Sequence, residues 1–181
     1  MSVPLRFFLL LLTVLPSMAT EQAFAPTAPG VSEFKTLPAG MLLKSSGEGG
    51  YFDHSNQLFR PLFSYISSHN IAMTTPVEAQ VDRAAMYFWV ASSEQAKVSG
   101  NTASVEVVRI PERRVASRGV RGGYSRENFE KTRDELLAWL GHQSGVEAGG
   151  APYAVYWNGP FTPWFAKQAE VHIPVRPRPA P

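Results

Sequence analysis

Two stretches of this chain place apolar side chains at helical spacing, and they lie 73 residues apart. In the second, Phe129, Leu136, Leu137 and Leu140 recur on one face, while Arg126, Glu127, Glu130, Lys131, Arg133, Asp134 and Glu135 fill the other. That pattern predicts an ordinary half-buried helix. Ser125 with Asn128 supplies its N-cap region, and Gly141 stops it. In the first stretch Leu58, Phe59, Leu62, Phe63, Tyr65 and Ile66 cover a broad apolar arc, and Arg60 is the only strong charge between Ser55 and Ser68. This helix has more apolar surface than one contact needs. Pro61 removes a backbone donor inside it, which predicts an irregular helix.

The same two stretches organise the strands. Gly49-Gly50-Tyr51 and Gly122-Gly123-Tyr124 each close a strand and open a helix, and each helix is followed by a Pro-led strand and a further strand. These are Pro76–Val81 with Ala85–Val90, and Pro152–Trp157 with Glu170–Val175. An internal repeat of a strand-helix-hairpin unit, and with it an α+β fold, is the consequence. Met86-Tyr87-Phe88-Trp89-Val90 shows no apolar/polar alternation, so both faces of the sheet must be covered there. Helices cover one face, and more sheet or a ligand is expected on the other.

Length and composition narrow the setting. The 181 residues suit one domain. Arg6, the apolar run Phe7–Leu15, Pro16 and Ser17-Met18-Ala19 have the layout of a secretory signal, with cleavage after Ala19 or, as a second candidate, after Ala25. An apolar run this short does not span a bilayer. Residues 20–33 read as a linker, 34–175 as the domain, and 176–181 as an extended Pro/Arg-rich tail. The absence of cysteine removes disulfides, thiolate metal sites and a catalytic thiol. A periplasmic or secreted location follows from the signal, and a bacterial periplasm suits an exported chain without disulfides. The formal charge of +2 gives no electrostatic case for nucleic acid or for stable attachment to an anionic membrane after signal cleavage.

Chemistry-bearing motifs are sparse. No nucleophile elbow, His-Glu-x-x-His, phosphate loop or dinucleotide fingerprint occurs, and the four histidines show no paired spacing for a metal. Gly47-Glu48-Gly49-Gly50 is read as a turn, because Gly-Gly-Tyr recurs in the second half. Arg109, Arg113, Arg114, Arg118 and Arg121 form either a solvated strand face or an anion-facing wall suited to carboxylates. His54 and His69 flank the unusually apolar helix. Either is a capping or surface residue, or an axial nitrogen for a haem on the Leu58/Leu62/Ile66 face, with Met41 and Met73 as thioether alternatives.

Three segments together carry a resemblance. Ile71-Ala72-Met73-Thr74-Thr75-Pro76-Val77 follows a Tyr-Ile helix, Val115-Ala116-Ser117-Arg118-Gly119 leads to Tyr124-Ser125, and Trp157-Asn158-Gly159-Pro160-Phe161-Thr162-Pro163-Trp164-Phe165 precedes Glu170-Val171. In order and spacing they resemble the SOUL haem-binding protein family, from about Glu33 to Val175. The resemblance implies a twisted, barrel-like antiparallel β-sheet flanked by two helices. It also implies that haem or another tetrapyrrole binds in a shallow apolar groove between Leu58, Leu62, Phe63 and Ile66 of the first helix and Phe161, Trp164 and Phe165 of the last hairpin. From the reading of the residues above, Arg118 of the arginine run is added as a cofactor-binding candidate, and His54 and His69 as candidate iron ligands.

The leading expectation is therefore a non-enzymatic haem or tetrapyrrole binder of the cell envelope, acting as carrier, buffer or scavenger. A second is a hydrolase or isomerase acting on a small apolar substrate in the same groove, with Glu78 or Glu170 as a carboxylate of raised pKa and Tyr153 or Tyr156 assisting. A third is an envelope interaction module tethered by the Arg-Pro tail.

Overall fold

The computed structural model describes residues 21–159 and 161–179. The signal-like segment 1–19 lies outside the described residues. In chain order the elements are β1 (Ser32–Leu37), β2 (Gly40–Ser46), α1 (Tyr51–Ser68), β3 (Val77–Gln80), β4 (Ala85–Val90), β5 (Glu106–Ile110), β6 (Arg113–Arg121), α2 (Arg126–Gly141), β7 (Val146–Ala148), β8 (Tyr153–Tyr156) and β9 (Gln168–Pro177). All strand pairs of this sheet are antiparallel, in the order β1-β6-β9-β8-β3-β4-β2-β5, with β7 added on β9. The result is an α+β fold in which the sheet curls into a half-barrel around two helices.

The order has an internal correspondence. β3 and β8 meet at its centre, β4 and β9 flank them, and β2 and β6 come next. At the edges the halves trade strands: β1 of the first half pairs β6 of the second, and β5 of the second pairs β2 of the first. Each half therefore contributes a hairpin strand ahead of its helix as well as the strand-helix-hairpin unit visible in sequence.

Local chemistry sets the helix ends. The Ser125 hydroxyl accepts the Asn128 N–H at 3.2 Å and caps α2, whereas Gly50 at the start of α1 brings no side-chain cap. α1 runs unbroken through Pro61, contrary to the irregularity that proline predicts. The donor Pro61 lacks would have met the Gln57 carbonyl, and Gln57 is exposed, where an unpaired carbonyl costs little.

Strand alternation divides the core between the two faces. Met41, Leu43, Val77, Met86, Phe88, Val90, Val171 and Ile173 face the helices, where Leu62 and Leu136 are fully buried against them. The opposite face carries Trp89, Tyr153, Val155, Trp157, Glu78, Glu170 and His172, all buried. The absence of alternation in β4 is thereby explained, since α1 covers one side and the chain's own N-terminal segment covers the other.

That segment corrects the expected linker at 20–33. Gln22 bridges Thr75, Pro29 bridges Gly119, and Thr27 is buried. Phe24 wedges edge-on between Trp89 and Trp157, with centroids at 5.7 and 5.4 Å. The small, proline-rich composition that read as a spacer is what lets an extended chain lie flat on a sheet. Gly119 is part of this fit, because a Cβ there would run into the carbonyl oxygens of Thr27 and Ala28. The tail is corrected as well: β9 continues through Pro177 in register with β7, and the Arg178 N–H donates to the Gly145 carbonyl at 3.0 Å.

Loosening this strap should cost stability without touching the helices. Phe24→Ala should lower the free energy of unfolding in urea by about 2 kcal/mol, the worth of its two aromatic contacts and partly buried area. Gly119→Val should be at least as damaging, with both measured from the denaturation midpoint.

Candidate functional site

α1 buries Tyr51, Leu58, Leu62, Tyr65 and Ile66 against the sheet. At 100° per residue, Phe59 and Phe63 then fall on one flank of the helix and Arg60 and Ser64 beyond them toward solvent. Phe59 stacks on Phe63 with centroids 5.6 Å apart and planes 16° from parallel, and its other side meets the Phe88 edge at 5.4 Å. Phe63 is half exposed. Arg60 is exposed and has no ion pair among the described residues. Phe59, Arg60, Phe63, Ser64, Ser67 and Ser68 line a shallow open depression of about 580 Å³. A flat apolar patch edged by a free guanidinium and three hydroxyls is the surface this helix offers.

The opposite sheet face holds a closed polar network. Glu170 Oε1 accepts from the Thr27 N–H at 2.7 Å and the Trp157 indole N–H at 2.8 Å. Its Oε2 accepts from Lys35 Nζ at 3.1 Å and the Ser117 hydroxyl at 2.8 Å, and lies 2.6 Å from His172 Nε2. His172 Nδ1 is 3.2 Å from the Tyr153 hydroxyl. That hydroxyl accepts from Arg113 at 3.4 Å, and the same guanidinium nitrogen reaches both oxygens of Glu78 at 2.7 and 2.9 Å. Trp89 adds its indole N–H to Glu78 at 2.9 Å.

The Glu170 carboxyl is strongly acidic here. Burial alone would raise its pKa, but the hydrogen bond and field of His172, then the Lys35 charge and the Ser117 hydroxyl, outweigh burial and hold it at about 2. A raised-pKa general base at Glu170 is thus overturned by the donors around it. Glu78 and Glu170 are 6% and 1% exposed, respectively, beneath the strap, so neither lines an open groove. Burial pushes the hydroxyls of Tyr153 and Tyr156 up, which keeps them protonated.

The chain matches the model of the SOUL heme-binding protein family over residues 25–174. It belongs to that family. Curated protein sequences give no match. Among solved structures, the C-terminal domain of EcmrR aligns with a TM-score of 0.63 at 14% identity, covering 81% of this chain and 97% of that domain. EcmrR in a complex with DNA aligns at 0.65 and 12% identity, over 81% of this chain, which spans 57% of that one. A hydrolase from Listeria innocua aligns at 0.56 and 14% identity, over 84% of this chain and 94% of that one. At such identities these likenesses concern the fold alone.

Set against this SOUL domain, the residues assigned from sequence separate into groups. Leu58, Leu62 and Ile66 are turned inward at 2%, 0% and 5% exposure, because the sheet needs them as core, and only Phe63 of that set reaches the surface. Phe161, Trp164 and Phe165 are exposed on the β8–β9 loop. The base of that loop is fastened to Tyr124, and none of its residues lines the α1 depression. Arg118 is committed to Glu135 at 2.8 Å and to the Gly30 carbonyl and Ser32 hydroxyl. The run of arginines is no common wall: Arg113 serves Glu78, and Arg114 lies over the Phe34 ring at 4.7 Å.

The aromatic flank fits the macrocycle and carboxylates of a tetrapyrrole, while the donors for its iron are a poor match. His69 closes α1 with Nδ1 2.8 Å from the Tyr65 carbonyl oxygen and Nε2 2.7 Å from the Ser99 hydroxyl, and its ring stacks on Tyr65. His54 lies about 140° around the helix from Phe59. Its Nδ1 is buried without a partner, and its ring fills the space a side chain at Gly49 would need. Met41 is core. Among the described residues no group of three His, Cys, Asp or Glu side chains is placed to hold a metal ion.

Sequence reasoning missed the buried network, although a signal existed. Glu78 stands between Val77 and Ala79, and Glu170 and His172 flank Val171, so charged side chains alternate with core residues in strands that are otherwise apolar.

Its effect on stability has a defined sign. Because the pKa of Glu170 in the fold lies below the ordinary 4.5, its contribution is complete at neutral pH and is lost as pH falls from about 5 toward 2, by about 3 kcal/mol in all. Urea midpoints measured from pH 7 down to pH 2.5 should show this decline. In Glu170→Gln the starting stability should be lower and the slope largely gone.

Proposed function

We propose that this protein is a non-enzymatic binder of haem or a related tetrapyrrole in the cell envelope, and that the macrocycle lies flat on the outer flank of α1. The observation that carries this reading is the half-exposed Phe63 stacked on the partly buried Phe59, beside an Arg60 with no ion pair among the described residues. The ring system covers the aromatic pair, and its carboxylates meet Arg60 and the hydroxyls of Ser64 and Ser67. Membership of the SOUL family supports the ligand class. The signal-like residues 1–19 support export.

Docking on an open flank rather than in an enclosed cavity suits a carrier or buffer, which has to release what it binds. Affinity near 1 μM, roughly −8 kcal/mol, is the scale for such a site. Among the described residues that line the depression there is no histidine or methionine, and binding rests on the ring and its carboxylates, not on the metal. A hydrolytic reading finds little support, since Glu78 and Glu170 are engaged and sealed on the far face.

Titration of the purified protein with haemin and with metal-free protoporphyrin, followed in the Soret band, tests this. Both should saturate at one per chain with affinities within about threefold of each other. Phe63→Ser and Arg60→Glu should each weaken binding about tenfold or more while leaving the unfolding midpoint close to the parent. A strong preference for haemin that disappears in His54→Ala or His69→Ala would refute flat, metal-independent docking. Binding insensitive to Phe63 and Arg60 would refute the site.

A further inference from the structure

The β8–β9 loop presents a second surface that the α1 site does not use. Phe161, Trp164 and Phe165 are 97%, 72% and 61% exposed, three large aromatics within five residues of one loop. Such a concentration of exposed apolar surface marks a contact site. Trp164 and Phe165 sit edge to face at 5.9 Å on a short helical turn, held by the Ala166 N–H donating to the Pro163 carbonyl at 2.9 Å. Below the tip the base is fixed. The Gln168 N–H donates to Asn158 Oδ1 at 2.6 Å, the Asn158 N–H donates to the Tyr124 hydroxyl at 2.8 Å, and that hydroxyl donates to the Gln168 carbonyl at 3.0 Å. The loop is therefore a braced projection.

Two cations ring that base. Arg121 ends β6 opposite Gln168 and is exposed, and Lys167 lies over the Tyr124 ring at 4.9 Å. Neither forms an ion pair among the described residues.

We propose that this loop is a reversible membrane-contact element, whose Trp164, Phe165 and Phe161 enter the interfacial layer of a lipid bilayer while Arg121 and Lys167 meet headgroup phosphates. Tryptophan and phenylalanine are suited to that layer, where an apolar ring is buried at the level of the headgroups. Cations a short distance behind them add attraction to anionic lipid. The arrangement favours a bilayer over a protein. The three exposed aromatics stand ahead of cations with no acidic partner among the described residues, the order in which a bilayer presents its acyl boundary and its phosphates. The inference stands independently of tetrapyrrole binding, because the two surfaces share no residue.

Sedimentation with sucrose-loaded vesicles of phosphatidylcholine, with and without phosphatidylglycerol, tests it on the purified protein, with intrinsic tryptophan fluorescence as a second readout. The protein should sediment with the mixed vesicles and its emission should shift to the blue, less so in high salt. Combined Phe161→Ser, Trp164→Ser and Phe165→Ser should lower partitioning about tenfold or more at an unchanged unfolding midpoint. Arg121→Glu should weaken binding only to the anionic vesicles, and Leu137→Ser, which removes an exposed apolar side chain of α2, should change nothing. Absence of vesicle binding in the parent, or its retention in the triple variant, overturns the proposal. So does a triple variant that keeps vesicle binding but loses porphyrin, which assigns the loop to the tetrapyrrole site. A triple variant that only abolishes self-association in sedimentation velocity overturns it too, in favour of a contact between copies.

Discussion

A carboxylate sealed within a sheet has to be met on both oxygens, and Glu170 draws its partners from four separate parts of the chain. Thr27 comes from the N-terminal strap, Lys35 from β1, Ser117 from β6, and Trp157 from the end of β8. Thr27 and Lys35 lie near the start of the chain, Ser117 in its middle and Trp157 near its end, and satisfying one buried charge fixes them together. Fully satisfied networks of this kind rigidify a core, and partly satisfied ones destabilise it. The strap is accordingly a structural wall of the domain, and the helix-free side of the sheet is closed by the protein itself.

Closing one face leaves the other to interact with the surroundings. α1 and α2 lie on the helix face, and α1 carries more aromatic surface than the sheet can take up, so Phe63 is left half exposed on a partly buried Phe59. α2 shows the contrast: its outward face is charged, and Leu137 is its one large exposed apolar side chain among the described residues. The two helices hold corresponding places in the fold, yet their solvent faces have opposite character. The difference lies in side chains the fold does not require, which is where binding chemistry can vary without endangering the core.

Much of this was legible in sequence, and the reasons are physical. The two helices, the Gly-Gly-Tyr turns and the strands at Val77, Ala85, Tyr153 and Glu170 follow from periodicity, caps and glycine, which act over a few residues. The strap was not legible, because Ala, Pro and Thr in residues 20–33 have the composition of a spacer and Phe24 is informative only once Trp89 and Trp157 are known to meet. Leu58, Leu62 and Ile66 were assigned to a ligand for a related reason. A broad apolar arc shows that a helix has surface to spare, and only the sheet decides which part of the arc is core. The histidines were ambiguous for want of neighbours, since His69 is tied by Ser99, 30 residues away.

The exchange of edge strands carries one more consequence. β1 completes the sheet of the second half and β5 completes that of the first, so neither half owns all the hydrogen bonds its strands make. A chain cut between Lys97 and Glu106 leaves a first fragment with β2 unpaired on its outer side and a second with β6 unpaired, each presenting a raw strand edge of the kind that aggregates. The domain is in this sense indivisible: β3 of the first half also pairs β8, so the sheet is complete only when β8 and β9 have been made.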